Sequence, residues 1–143
     1  MKLILSVLFL TVLFGSSVAC KCKVPSNEEA FCNADFVARF RVDANSNEKF
    51  NIVYNATIVE AFKIPGNESN VSQAFLISAR DSATCGVSLD VGREYLLTGS
   101  RDESRIRIAS CGQFNAAAPE WITVPEDLKT SLEKKNFGNC DNN

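Results

Sequence analysis

The sequence predicts a mainly β domain stapled by disulfides, built as a small closed or partly open barrel of five short strands with a flanking helix. Three observations carry that prediction. Apolar and polar residues alternate in short runs separated by turn-forming residues. One helix-start pattern stands near the C-terminal end. All six cysteines follow an N-terminal stretch that reads as a secretory leader, and an even count in a small secreted chain reads as a disulfide framework. Closing such a sheet into a barrel also hides its edges.

The leader occupies residues 1–19. Lys2 supplies the charged start, residues 3–14 the apolar run, and Gly15-Ser16-Ser17-Val18-Ala19 the small residues before a cleavage site. Ser17 and Ala19 sit three and one positions before the cut, so cleavage is expected to leave Cys20 first, with its α-amine free. The apolar run is about a dozen residues, short of the roughly 18 to 20 that span a membrane. The remaining chain, residues 20–143, has the length of one domain with a modest core.

Over residues 35–42 the sequence alternates, with Phe36, Ala38, Phe40 and Val42 on one face and Val37, Arg39 and Arg41 on the other. The run over 50–58 repeats the pattern, placing Phe50, Ile52, Tyr54, Ala56 and Ile58 inward and Asn51, Asn55 and Thr57 outward. Asn55-Ala56-Thr57 is a glycosylation sequon whose asparagine lies on the outward face. A turn-rich loop then carries two more sequons, at Asn67 and Asn70, too close together for both to be modified easily.

Residues 73–80, 95–98 and 105–110 read as three further strands, with turns at Gly92 and over 99–104. Thr123-Val124-Pro125-Glu126 has the spacing of a capping box, with Leu128 and Leu132 four apart, so a helix of about three turns is expected to end near Gly138.

Composition excludes several function classes. The chain has 15 Lys and Arg against 17 Asp and Glu, with the basic residues dispersed, which leaves no electrostatic footprint for nucleic acid. It has no histidine, the usual general base, and no glycine-rich phosphate loop or clustered carboxylate pair, so an enzyme is not expected. Cys20-Lys21-Cys22 lacks a second such pair to complete a zinc site. Trp121 and the phenylalanines are expected in the core and at the barrel plug.

Cys20-Lys21-Cys22, Val24-Pro25 and Ala30-Phe31-Cys32-Asn33-Ala34-Asp35-Phe36-Val37 together resemble the opening of the tissue inhibitors of metalloproteinases. The resemblance continues through Thr84-Cys85-Gly86, Tyr95-Leu96-Leu97-Thr98-Gly99, Ile108-Ala109-Ser110-Cys111, Pro119-Glu120-Trp121 and Cys140, spanning the whole of residues 20–143. It implies a netrin-like, OB-type five-stranded barrel with flanking helices. Spacing alone leaves fifteen connectivities for six cysteines. The resemblance implies Cys20 with Cys85, Cys22 with Cys111, and Cys32 with Cys140. Each loop so closed spans 65 residues or more, for which the chain-entropy model gives roughly 4 kcal/mol per bridge.

The resemblance also implies a function: a secreted, extracellular, monomeric inhibitor of zinc metalloendopeptidases, matrix metalloproteinases or related enzymes. No cofactor of its own is expected, and neither nucleic acid nor membrane is expected as a partner. A catalytic zinc keeps one position open for water. In the family's mode, the α-amine and carbonyl oxygen of the first residue, here Cys20, chelate that zinc and displace the water. Lys21, Cys22, Lys23, Val24 and Pro25, with Ala83, Thr84, Cys85 and Gly86, would form the ridge against the protease. The family also carries a second cysteine-rich module, whereas this sequence stops three residues after Cys140, so the inhibitory domain alone is expected.

Two departures refine the expectation. Lys21 stands where the family has a small or hydroxyl side chain directed into the enzyme's S1′ pocket. An ammonium in an apolar pocket is costly even if its stem snorkels, which directs the expectation toward enzymes with a polar or acidic pocket. Val24-Pro25 also sits one place later than usual, after Lys23. The alternative reading is a netrin-like extracellular binding module that inhibits nothing, since a fold does not fix a function. A lipoprotein with acylated Cys20 would leave five cysteines and a poor lipobox at Ser17.

Overall fold

The computed structural model describes residues 20–66, 72–138 and 140. The expected leader (1–19) and the sequons at Asn67 and Asn70 lie outside the described residues. In chain order the elements are α1 (Asn27–Asn33), β1 (Phe36–Glu48), β2 (Asn51–Lys63), β3 (Gln73–Ala79), β4 (Glu94–Asp102), β5 (Arg105–Arg107) and α2 (Glu126–Glu133). The strands close into a barrel in the order β1-β2-β3-β5-β4, with β4 returning to β1. Every pairing is antiparallel except β3 with β5.

Closure depends on β1, which pairs with both β2 and β4. Its register against β2 shifts at Val37/Ala38, Arg39/Phe40 and Val42/Ala44, and such irregularities bend a strand and increase its twist. Inside the barrel, Phe40, Val42, Tyr54, Ala56, Leu76 and Leu97 are almost fully buried, on the faces that alternation assigns to the core.

A second core lies outside the barrel wall, where Ala30 and Phe31 of α1 and Leu128 and Leu132 of α2 pack with Val37, Phe62, Leu96, Phe114 and Phe137. This layer corrects the reading of Val37 as solvent-facing. It does point away from Phe36 and Ala38, but the helices cover it and leave it 0% exposed. Arg39, two residues on, lies with its guanidinium 4.7 Å from the centroid of the Trp121 ring and pairs with Glu94.

Phe50 also departs from the expectation. It lies in the tight turn between β1 and β2, beside Lys49 in a left-handed conformation (φ 41°), and is 83% exposed. Period-2 alternation extends one residue beyond the strand, which begins at Asn51. The C-terminal helix begins at Pro125 as N-cap, without a side-chain cap bond, because the Thr123 hydroxyl donates instead to the Glu120 carbonyl at 2.8 Å. The helix has eight residues and stops well before Gly138, since Lys135 is left-handed (φ 50°). A true capping box stands at α1, where the Ser26 hydroxyl accepts from the Glu29 amide (3.1 Å) and Glu29 accepts from the Ser26 amide (2.8 Å).

Candidate functional site

Residues 20–26 form no helix or strand of their own. An extended segment without a hydrogen-bond ladder needs other restraints, and here they are covalent. Cys20 is bridged to Cys85 and Cys22 to Cys111, each with a Cα separation of 5.2 Å. Cys32, at the end of α1, is bridged to Cys140. The first two bridges lie side by side, with Cys20 Sγ 3.8 Å from Cys111 Sγ, and Cys111 Sγ 3.6 Å from Cys85 Sγ.

The four sulfurs of these two bridges lie within 4.8 Å of one another, as ligands of a metal would. A bridged sulfur, however, has no thiolate to offer. The cluster therefore acts as a double staple that ties residues 20–22 to the segments around Cys85 and Cys111.

The segment meets a second one, residues 81–86, held from below. Asp81 caps a short turn over Ser82–Thr84: its carboxylate accepts from the Ala83 amide at 2.8 Å. Its carbonyl accepts from the amides of Thr84 and Gly86 and from the Thr84 hydroxyl. Cys85 takes a left-handed conformation (φ 63°), and its carbonyl accepts from the Ser110 amide at 2.9 Å. A side chain at Gly86 would collide with the Ala79 carbonyl, so only glycine lets the turn lie this close to β3.

Beyond Gly86 the chain is anchored in the barrel. The Val87 amide donates to the buried Ser78 hydroxyl (2.7 Å), while the Tyr54 hydroxyl donates to the Val87 carbonyl (3.2 Å) and accepts from the Leu89 amide (3.1 Å). The Tyr95 hydroxyl accepts from the Asp90 amide at 3.0 Å, and burial pushes its phenol upward from the ordinary value. The bonds at Val87 and Leu89 satisfy buried polar groups that would be costly to leave unmet.

Of the expected ridge residues, the bridges bring Cys20 to Cys85 and Cys22 to Cys111. Lys21, Lys23, Val24, Ala83 and Thr84 are exposed; Cys20, Cys22, Pro25, Cys85 and Gly86 are partly covered. Lys23 pairs at 3.6 Å with Glu29, whose carboxyl is held below its ordinary value first by the Ser26 backbone N–H and then by Lys23. The parts that Asp81, Ser110, Ser78 and Tyr54 play in supporting residues 81–89 are not among the expectations from the sequence. Asp81-Ser82 is a turn-capping pattern that was available there; the roles of the other three need the tertiary fold.

Comparison with known proteins adds to this geometry. Residues 18–141 match the model of the family described as tissue inhibitor of metalloproteinase. Metalloproteinase inhibitor 2 of Homo sapiens is 32% identical over 154 residues, covering 99% of this chain and 66% of that protein. The Rattus norvegicus protein of the same name is 31% identical with the same coverage. The Caenorhabditis elegans protein tag-225 is 28% identical, covering 92% of this chain and 96% of its own length. The chain therefore spans just under two thirds of the two mammalian relatives and nearly all of the nematode one.

Proposed function

The chain belongs to the tissue inhibitor of metalloproteinase family, and from that premise we propose that it is a secreted inhibitor of zinc metalloendopeptidases whose blocking group is the backbone of Cys20. Removal of residues 1–19 in the secretory pathway frees the α-amine. That amine and the carbonyl oxygen of Cys20 form a five-membered chelate with the target enzyme's zinc and take the place of its water.

The observation that carries this reading is the double staple. Cys20 and Cys22 are each bridged to the segments around Cys85 and Cys111, so the terminal residue is ordered before it meets an enzyme. Preorganisation removes much of the ordering cost that a flexible peptide bears on binding. The same bridges keep the segment from relaxing into a cleavable pose.

Lys21 is exposed beside Cys20, and on this reading its side chain enters the target's S1′ pocket. Its ammonium selects enzymes whose pocket offers a carboxylate or water, and disfavours deep apolar pockets. The amine must be unprotonated to bind metal, and an unperturbed α-amine titrates near 7.7 to 8. Inhibition therefore weakens as pH falls through that range.

The test is N-terminal sequencing of the protein released from expressing cells, followed by inhibition assays on a panel of zinc endopeptidases with the natural chain and with Lys21→Thr. The reading expects Cys20 first, inhibition of at least one enzyme with a polar S1′ pocket, and a shift toward apolar-pocket enzymes in the variant. Absence of inhibition across the panel by protein that does begin at Cys20 would favour the non-inhibitory binding module.

A further inference from the structure

The outward face of the barrel carries one juxtaposition that protease inhibition leaves unused: the sequon residue Asn55 lies directly across from an exposed aromatic, Phe75. They are register partners on antiparallel β2 and β3. Ladder bonds fix the kind of pair. The Ile58 amide donates to the Ser72 carbonyl (2.9 Å) and the Arg80 amide to the Phe50 carbonyl (2.8 Å), which makes Thr57↔Gln73 and Asn51↔Ala79 non-hydrogen-bonded pairs. Pair types alternate, and the register runs without a shift from Asn51 to Thr57, so Asn55↔Phe75 is of the same type. In such pairs the side chains stand closest, with Cα atoms about 4.5 Å apart.

Both side chains point away from the core, opposite to buried Tyr54 and Leu76. Phe75 is 53% exposed, and Asn55 Oδ1 is buried with no hydrogen-bond partner among the described residues. On the other side of Asn55 its β1 partner is Ala44, beside the register shift at Val42/Ala44. With only a small residue on the β1 flank and a flat aromatic on the β3 flank, a group attached to Asn55 Nδ2 would meet Phe75 as its large cross-strand neighbour.

We infer that Asn55 carries an N-linked glycan whose first N-acetylhexosamine packs its apolar C–H face on the Phe75 ring. The inference rests on the reading of residues 1–19 as a secretory leader. In the transfer, Asn55 Nδ2 attacks C1 of an oligosaccharide held on a polyisoprenyl diphosphate. The N–C1 bond forms and the C1–O bond breaks. The diphosphate leaves with that electron pair, and the amide gives up one proton. Transfer precedes barrel closure, because in the folded chain β2 lies between β1 and β3 and the Thr57 hydroxyl is already bonded to Asp43 at 2.6 Å. The sugar then covers an aromatic surface that would otherwise stay in water.

The test is the full chain secreted from glycosylating cells, with glycopeptide mass spectrometry at Asn55 and a thermal cycle of Asn55→Gln, Phe75→Ala and the double variant. The inference expects Asn55 to be occupied and Phe75→Ala to lower Tm by about 3 °C in the glycosylated chain but by less than about 1 °C in the Asn55→Gln background. Phe75→Tyr should keep the coupling, as should trimming the glycan to its first sugar. An unmodified Asn55 in chain that reaches the medium, or equal Tm shifts in both backgrounds, overturns the inference and leaves the secretory reading intact. If the chain does not reach the medium, the leader reading fails, and the same cycle behind a leader of proven activity still decides the sugar contact.

Discussion

In the barrel, Phe40, Leu76 and Leu97 are within 1% of complete burial and the wall is a continuous ring of backbone pairing. In the N-terminal ridge, Lys21, Lys23, Val24 and residues 81–84 lie open to solvent, held by two adjacent bridges and a capped turn. The barrel is ordered by removing apolar surface from water. The ridge stays exposed, so covalent and local polar restraints must order it. On the proposed function the exposed ridge is the surface that meets an enzyme, and the chain orders it by a different kind of force from the one that orders the barrel.

The largest effect that separates them is a core truncation. Phe40→Ala, at a fully buried site between β2 and β4, is expected to cost about 3 to 5 kcal/mol. In a domain of this size that abolishes folding at physiological temperature, and inhibition goes only because the fold goes. Chemical denaturation monitored by circular dichroism measures it.

Breaking bridges comes next. Replacing Cys22 and Cys111 together by serine removes a closure over 89 residues, and replacing Cys32 and Cys140 removes one over 108; the chain-entropy model assigns each roughly 4 kcal/mol. The stability losses should be similar. Under stabilising conditions, though, the first pair should weaken inhibition tenfold or more, while the second leaves it nearly intact. Equal loss of potency in both would remove the special role of the ridge.

How much of this division was legible in the sequence depends on what each feature requires. Alternation announces β1 and β2, whereas Tyr95 to Thr98 of β4 are buried on both faces and read as a short, largely apolar run instead. The outward position of Val37 misleads, since its cover comes from helices elsewhere in the chain. Phe50 extends an alternating run into a turn. Thr123 has capping-box spacing, but its hydroxyl bonds to Glu120, whereas Ser26 and Glu29 form the box that the same spacing could have located. The fifteen pairings allowed by spacing reduce to three bridges only through the family resemblance or the fold. The support of the second ridge segment by Tyr54, Ser78 and Ser110 is tertiary and has no local pattern.

A smaller effect sharpens the comparison from the ridge side. Asp81→Ala removes the carboxylate that caps the turn before Cys85, and loss of such a cap costs about 1 kcal/mol. Because residues 82–84 touch solvent rather than the core, inhibition should fall several-fold with only a small decrease in Tm. An inhibition constant unchanged by Asp81→Ala would mean that the bridges alone position the segment.

The smallest effect is the pH response of the α1 entry. Glu29 is held below its ordinary pKa of 4.5, first by the Ser26 backbone N–H and then by Lys23. A depressed carboxyl pKa contributes stability that is complete above the unfolded value and is lost as pH falls through the folded one. The entry to α1 should therefore loosen below about pH 4.5, and Glu29→Gln should flatten that dependence. An NMR titration of Glu29 reads its pKa directly, and amide exchange at residues 27–30 reads the loosening.

The central claim is that an ordered backbone nitrogen at Cys20, presented by two bridges, blocks the target's metal. Inhibition constants against a susceptible zinc endopeptidase, compared between protein beginning at Cys20 and protein with one alanine added before it, test this most directly. A loss of at least a hundredfold, with unchanged Tm and intact bridges, is the predicted result. Equal potency of the two forms would contradict it.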